Sequence, residues 1–270
     1  MMICATCGVE HELPVPGVCP ICADERQYVP ASGQRWTTVG ELAADGHRIV
    51  AGDLEPDLLG LHAEPAVGIG QTSLLVTTPE GSVLWDPLGF IDDDAVAAVR
   101  VRGPVLAIAA SHPHMFGVQL DWSRALGNPP VLVNAEDAVW LGRTGPEVEF
   151  WSGTRPITRG VTLHHVGGHF AGSAVLHWAQ GAEGRSVVLA GDSVAPNPDR
   201  STVAFLRSYP NRIPLSGAVA LRMAASLNWL DYDRLYGNFA NVIATNAADA
   251  VRFSAERHAA WASGDHDRLT

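Results

Sequence analysis

Two histidines at the end of an apolar run are the first residues in this chain whose types and spacing suggest chemistry. His112 and His114 follow VLAIAA in the segment SHPHMFG. Residues spaced i and i+2 on an extended segment project to the same side, and imidazole nitrogens suit Zn²⁺ or Fe²⁺. A single histidine here would be explained equally well as a cap of the following turn. The pair therefore predicts a metal site only if further ligands occur elsewhere in the chain.

Two more candidate ligands also follow apolar runs. They are His169 in VTLHHVGGHF and Asp192 in VVLAGDSVAP. Taken singly, His169 would be an ordinary loop histidine and Asp192 an Asx-turn residue. Together with the histidine pair they would supply three nitrogens and one carboxylate oxygen, leaving room for water. The four residues predict an active-site metal, Zn²⁺ or Fe²⁺, and His164 and His165 are interpreted as packing residues.

A second metal site is predicted at the amino terminus. All four cysteines, Cys4, Cys7, Cys19 and Cys22, lie in the pattern C-x2-C-x11-C-x2-C. Two such pairs form knuckles that close a tetrahedral Cys4 site, and a closed site holds one structural Zn²⁺ with no catalytic position. The alternative is a pair of redox dithiols, which normally occur singly in larger α/β units. We therefore predict a zinc ribbon, whose folding depends on the metal because the segment has no core of its own.

Composition excludes several classes of function. The 18 basic and 29 acidic residues give a net charge of −11, which disfavours nucleic acid and anionic membranes as partners. All the basic residues are arginine, so Schiff-base and P-loop lysine chemistry are excluded. Neither a signal peptide nor a membrane span is legible, so a cytoplasmic location is expected. The expected partner is a small-molecule substrate, with a homo-oligomer or a protein partner left open.

The elements that must position these residues follow an α/β pattern. Strand-like runs recur at 73–78, 82–86, 104–110, 130–134, 161–166, 174–179 and 186–190. Helical segments stand between or after them, without strict βαβ alternation, which favours two packed sheets covered by helices. The predicted domains are 1–34, the zinc ribbon and linker, and 35–270.

The ordered set of motifs resembles the metallo-β-lactamase-fold hydrolase superfamily, which includes glyoxalase II, lactonases and arylsulfatases. The resemblance covers roughly residues 55 to 260 and consists of a strand then His-x-His, a Gly-rich loop with His169, and a strand then Gly-Asp. It implies a four-layer αββα sandwich with the site at one edge of two sheets. WDPLG, 85–89, matches an early strand ending in Asp, which would make Asp86 a residue that supports the metal ligands.

The chain departs from the family pattern at the second metal. The family motif is H-x-H-x-D-H, and its last three positions are here Met115, Phe116 and Gly117. Asn238 in LYGNF stands where a last histidine is expected. Every missing group would ligate the second metal, whereas all four ligands of the first are kept. The pattern predicts a mononuclear site with Phe116 in the place of the second ion. It also predicts that Phe116→Asp, Gly117→His and Asn238→His together restore a second ion.

The resulting hypothesis is a metal-dependent hydrolase of a small ester, thioester or lactone. Asp192 is either a metal ligand or a loosely bound group that acts as the base. One alternative is a mononuclear non-haem iron oxygenase that resembles persulfide dioxygenases; another is a catalytically weak metal-binding protein that acts through protein contacts. The segment 199–217, with Arg207 and Tyr209, is expected to be a long surface loop or a lid over the site, and an arginine facing the metal would select an anionic substrate.

Overall fold

The apolar runs that the sequence marks as strands form two main sheets, one in each of two units of the chain. The computed structural model describes residues 1–270, and the units span Met1–Ser152 and Gly153–Thr270. The boundary predicted at residue 34 lies inside the first unit, and the domain division stays a prediction. None of the helices combines the length and the apolar character needed to cross a membrane.

The first unit contains ten strands and four helices. The strands are β1 Met2–Cys4, β2 Glu10–His11, β3 Trp36–Thr37, β4 Arg48–Glu55, β5 Leu58–Glu64, β6 Ser73–Thr78, β7 Gly81–Trp85, β8 Val105–Ala109, β9 Val131–Asn134 and β10 Val148–Trp151. The helices are α1 Pro20–Ala23, α2 Val39–Ala44, α3 Asp93–Arg100 and α4 Gln119–Ala125, with 3₁₀ helices at Pro113–Met115 and Ala135–Trp140.

The seven-stranded sheet of this unit explains where its polar loop residues lie. Its order is β10-β9-β8-β7-β6-β5-β4, with β7 to β10 parallel and β4 to β7 antiparallel. Since β7 and β8 are parallel neighbours, with Trp85 opposite Ala109, their carboxyl ends meet at one edge. Asp86 and the His112 loop therefore emerge side by side.

The amino-terminal segment shares the core of this unit. Strands β1 to β3 form a small antiparallel sheet. The four cysteines, Ile3 and Ile21 belong to the same buried apolar cluster as Leu84, Ile108 and Trp122. The segment is too short to bury a core alone, so its packing on the larger sheet supplies the apolar burial that it lacks.

The second unit also contains ten strands, with three helices. The strands are β11 Thr154–Thr158, β12 Val161–His165, β13 Ala174–Trp178, β14 Val187–Leu189, β15 Ala195–Pro196, β16 Val203–Ala204, β17 Leu206–Ser208, β18 Ile213–Pro214, β19 Arg234–Tyr236 and β20 Val242–Ile243. The helices are α5 Gly181–Gly184, α6 Gly217–Leu227 and α7 Ala247–Ala262, with a 3₁₀ helix at Asp267–Leu269.

The six-stranded sheet of the second unit likewise gathers its loop residues at one edge. Its order is β11-β12-β13-β14-β19-β20, and β14 runs parallel to β19. The β12–β13 loop, which carries His169, lies at the same edge as the carboxyl ends of β14 and β19, because β13 is antiparallel to both β12 and β14. Asp192 and Asn238 follow those two ends. Helices α6 and α7 pack over a core that includes Val175, Val188 and Leu235.

The segment predicted as a long loop differs from that expectation. Residues 199–217 contain β16, β17 and β18, and α6 begins at Gly217. Its backbone pairs within two small sheets, β15–β16 and β17–β18, so the prediction of an irregular loop was wrong. The turn residues between short strands gave the segment its loop-like composition.

Candidate metal centres

The His112 loop is fixed by the strand beside it. The carboxylate of Asp86, a fully buried residue with φ of 56°, accepts a hydrogen bond from the backbone N–H of Ser111 at 2.5 Å. The hydroxyl of Ser111 in turn lies 2.9 Å from Nδ1 of His112. Such contacts to the second ring nitrogen orient a ligand histidine. Asp86 thus holds the loop that carries the histidine pair, and its role beside a metal stays a prediction.

The geometry of the histidine pair differs from the extended i, i+2 arrangement. His112 is extended, with φ of −171°, but His114 lies in the 3₁₀ helix that begins at Pro113. The two imidazole rings nevertheless lie together, with centroids 5.2 Å apart and both side chains buried. Pro113 favours this turn because its fixed φ suits the start of a helix.

Phe116 and Gly117, where the family motif has ligands for a second metal, offer no ligand atom in this chain. Phe116 is 3% exposed and belongs to the apolar core of the first unit. Gly117 has φ of +53°, and a β-carbon there would collide with the carbonyl oxygens of Pro87 and Leu88. The expectation that Gly117→His would recreate a ligand was therefore wrong, because the backbone at this position admits no side chain.

His169 and its neighbours form the corresponding group in the second unit. Nδ1 of the buried His169 lies 2.9 Å from the carbonyl oxygen of Leu206 in β17, so it donates a hydrogen bond and leaves the lone pair on Nε2. The hydroxyl of Tyr209 donates to the backbone carbonyl of Asp192 at 3.1 Å. Burial, and then the charge of Asp192, raise the pKa of Tyr209, which keeps the phenol protonated as a donor.

The predicted active-site ligands form one candidate metal-binding group. His112, His114, His169 and Asp192 each offer one ligand atom, and these atoms lie within 4.8 Å of one another. All four side chains are buried. Three imidazoles and a carboxylate are a donor set that fits Zn²⁺ or Fe²⁺, and the proton on Nδ1 of His169 leaves its other nitrogen in the form that a metal requires.

The four cysteines form the other such group. Their sulfur atoms lie within 4.8 Å of one another, and all four thiols are free and buried. The Sγ atoms of Cys4 and Cys22 are 3.6 Å apart, and those of Cys7 and Cys19 are 3.8 Å apart. Neither pair is therefore a disulfide. Hydrogen bonds from neighbouring groups, the Cys22 thiol first, lower the pKa of Cys19. This group fits the predicted Cys4 zinc site.

A glutamine and a histidine surround the cysteines. The side-chain amide of Gln34 donates to Sγ of Cys4 at 3.2 Å, and its oxygen accepts from the backbone N–H of Cys19 at 3.1 Å. Nε2 of His11 lies 3.5 Å from Sγ of Cys19. Donors of this kind orient thiolates and stabilise their charge.

Sequence reasoning missed Glu10, which lies between the two cysteine pairs. This residue is 2% exposed, accepts from the backbone N–H of Leu120 at 2.9 Å and receives a hydrogen bond from Arg143 at 2.5 Å. Burial raises the pKa of Glu10 to about 7, against the opposing effects of Leu120 and Arg143. Its partners are remote along the chain, so no local pattern marked it. Its place as an acidic residue between the two cysteine pairs was the only signal.

The remaining predicted residues lie near these groups in the chain. Asn238 follows β19 and is 2% exposed, and Arg207 is a half-buried residue of β17 between Leu206 and Ser208. The structure contains partners for both side chains. Their assignment to a lost ligand position and to substrate binding stays a prediction.

A bacterial relative decides the family of the chain. The protein YmaE of Bacillus subtilis (strain 168) is 38% identical over 260 residues, which cover 95% of this chain and 94% of the relative. The chain belongs to the YmaE family. No family model matches it.

Solved structures identify the fold of this YmaE-family member. The metallo-β-lactamase FIM-1 from Pseudomonas aeruginosa, in its mono-zinc form, superposes with a TM-score of 0.56 at 14% identity, over 78% of this chain and 96% of the enzyme. The metallo-β-lactamase from Pontibacter korlensis gives a TM-score of 0.56 at 13% identity, over 80% and 99%. These likenesses confirm the predicted metallo-β-lactamase fold.

Proposed function

We propose that this protein is a metal-dependent hydrolase that uses one active-site metal ion and acts on a small ester, thioester or lactone. The observation that carries the proposal is the buried group of three histidines and one aspartate, whose ligand atoms lie within 4.8 Å of one another. Buried ionisable groups in such numbers are costly unless they bind a metal or pair with one another. Zn²⁺ is the metal that we propose for this group.

Two further observations support a single ion. Phe116 packs in the core and Gly117 has no room for a side chain, so the loop offers no ligands beyond His112 and His114. The structurally similar FIM-1 was solved in a mono-zinc form, which shows that a related scaffold accommodates one ion. A phenyl group offers no lone pair to a metal ion.

The roles of the residues follow from their contacts. When bound, the metal supplies Lewis-acid chemistry, which polarises an acyl carbonyl and makes water more acidic. Leu206 fixes the ring of His169 through Nδ1, and Ser111 fixes that of His112. The carboxylate of Asp192 accepts the proton of the attacking water, and Tyr209 holds the backbone of Asp192 in place. Arg207 is the candidate for contact with an acidic group of the substrate.

We propose that the cysteine group holds a structural Zn²⁺ and forms a zinc ribbon. Four thiolates occupy all four coordination positions of a tetrahedral ion, so this metal has no open position for substrate. The direct contacts of Gln34 and the proximity of His11 to the sulfurs support this assignment. The ribbon then contributes stability and position to the first unit, and catalysis belongs to the histidine group.

The experiment is hydrolysis of a panel of chromogenic esters, thioesters and lactones by the zinc-loaded protein. Asp192→Asn is expected to reduce kcat/KM by at least about a hundredfold, since it removes the only carboxylate of the group, which we propose as the base. Asp249→Asn is the control, because Asp249 is an exposed residue of α7 that pairs with Arg252. A fully loaded protein that hydrolyses no member of the panel faster than metal-stripped protein does would refute the proposal.

A further inference from the structure

Glu10 joins the cysteine segment to the helix that follows the histidine pair. One carboxylate oxygen accepts the backbone N–H of Leu120, in the first turn of α4, at 2.9 Å. Arg143 donates to the other oxygen at 2.5 Å and to Asp121 of the same helix at 2.6 Å. A buried carboxylate with this pairing is held in a single position, because any departure would leave a charge without partners.

Helix α4 depends on this outside group. Its cap residue is Val118, whose side chain offers no acceptor. The N–H groups of the first turn have no acceptor within the helix and need another partner. Glu10 supplies one. Its own backbone N–H also donates to the carbonyl oxygen of Gly117 at 3.0 Å. The three residues between His114 and the cap are therefore tied at their end to the cysteine segment.

The knuckle of the first cysteine pair packs on the segment that follows β7, which in turn bonds to the histidine loop. The backbone at Gly8, directly after Cys7, packs so closely on Gly89 that a β-carbon on Gly89 would collide with it. Gly8 itself has φ of +79°, which suits glycine. The carbonyl of Leu88 accepts from the N–H of Val118 at 3.0 Å, and Asp86 holds Ser111. Both ends of the histidine loop thus connect to residues that the cysteines position.

We propose that Glu10 is a positioning residue for His112 and His114, through which the metal-bound cysteine segment sets the metal affinity of the histidine group. This inference rests on the proposed function only in taking that group to bind a metal. Loss of the ion from the cysteines releases the turn at Gly8 and the strand that carries Glu10. The first turn of α4 and the loop before it then lose their fixed partners, and the two imidazoles lose their alignment.

The test uses Co²⁺ as the probe and full-length protein. Thiolate-bound Co²⁺ absorbs strongly in the near ultraviolet, whereas Co²⁺ on histidine and carboxylate gives only weak visible bands, so the two groups are titrated separately. Glu10→Met keeps the length of the side chain and removes the acceptor, and it is expected to weaken Co²⁺ binding at the histidine group by about 10- to 100-fold. Glu10→Gln keeps one acceptor and is expected to recover most of the affinity. Glu12→Gln, in an exposed residue two positions further, is expected to change nothing.

A second pair of variants covers the case in which Glu10→Met does not fold. Arg143→Met removes the donor that clamps Glu10 to α4 and is expected to weaken the histidine group by about tenfold. Arg124→Met is the matched control, since Arg124 is an arginine of α4 that pairs with Glu147 and has no bond to Glu10. Unchanged affinity in folded Glu10→Met or Arg143→Met, with both cobalt classes present in the wild type, would overturn the positioning role alone. A wild type that shows only thiolate-bound cobalt would overturn the proposed function and this inference with it.

Discussion

Single hydrogen bonds determine which atoms of the candidate site are able to ligate. The carbonyl of Leu206 holds the proton of His169 on Nδ1, and the hydroxyl of Tyr209 holds the backbone of Asp192. The sequence placed His169 and Asp192 at the site because each follows a strand-like run. It did not predict that β17 supplies the orienting carbonyl, because every residue has a backbone carbonyl and the residue type does not indicate which one accepts.

Tyr209→Phe is expected to weaken metal binding at the histidine group by several-fold to about tenfold, because the carbonyl of Asp192 loses a donor and the carboxylate becomes less well positioned. Competition with a chromophoric chelator measures this affinity. Tyr232→Phe is the control, as it removes a buried hydroxyl elsewhere in the same unit. Equal affinities of the two variants would contradict the role given to Tyr209.

His164 gives a prediction for acid stability. Burial, and then the charge of His177, lower the pKa of His164 from its ordinary value of 6.5 to about 4. The unfolded chain therefore binds this proton first as the pH falls, so stability is lost between pH 6.5 and pH 4 and is fully present above that range. At 1.36 kcal/mol for each pKa unit, His164→Gln is expected to remove about 2 to 3 kcal/mol of that acid-induced loss.

Denaturant unfolding of both proteins at pH 7 and pH 4.5 measures the effect, and the difference between them cancels protonation of the metal ligands. His165→Gln is the control, because its side chain projects from the opposite face of β12. An identical pH dependence in wild type and His164→Gln would show that the buried histidine does not titrate in this range.

At the scale of elements, parallel strand pairs explain how candidate site residues are recognised in the sequence. The neighbours β7 and β8 end at Asp86 and the histidine loop, and β14 and β19 end before Asp192 and Asn238. Polar residues that follow apolar strands are readable from sequence alone. The docking of the cysteine segment was not, because it depends on close backbone contacts of Gly8 with Gly68 and Gly89, and on the buried carboxylate of Glu10.

Gly117→Ala tests this close packing. Besides the strain of a positive φ, its β-carbon collides with Pro87 and Leu88, so we expect destabilisation of about 3 to 5 kcal/mol. Gly153→Ala is the control, because Gly153 also has a positive φ, +67°, but a β-carbon there would have no atom within 4 Å. We expect it to lower the free energy of unfolding by only about 1 to 2 kcal/mol. Equilibrium unfolding compares the two, and equal losses would contradict the account of the glycine contacts.

Cys19→Ser is expected to release one metal ion and to increase amide exchange in residues 1–37. The structure extends that effect to 86–90 and 111–118, because these loops pack on the cysteine segment. Hydrogen exchange with mass spectrometry gives the readout, and strands β13 and β14 are the internal reference. If the protection of 111–118 stays unchanged while the metal is lost, the cysteine segment does not support the histidine loop.

For the whole molecule, we propose one catalytic ion and one structural ion on a metallo-β-lactamase fold. The fold could be predicted from the order of the motifs in this chain, and the likeness to FIM-1 shows that the fold persists at 14% identity. Substrate choice could not, because it depends on side-chain directions in residues such as Arg207 that no spacing encodes.

Anomalous scattering from crystals of protein purified without added metal tests this central claim most directly. Data collected across the zinc and iron absorption edges identify each ion and its position. The account predicts two zinc peaks for each chain, one among the four cysteines and one among His112, His114, His169 and Asp192. A pair of peaks within about 4 Å of each other at the histidine group, the usual separation in two-metal sites, or no peak there at all, would contradict it.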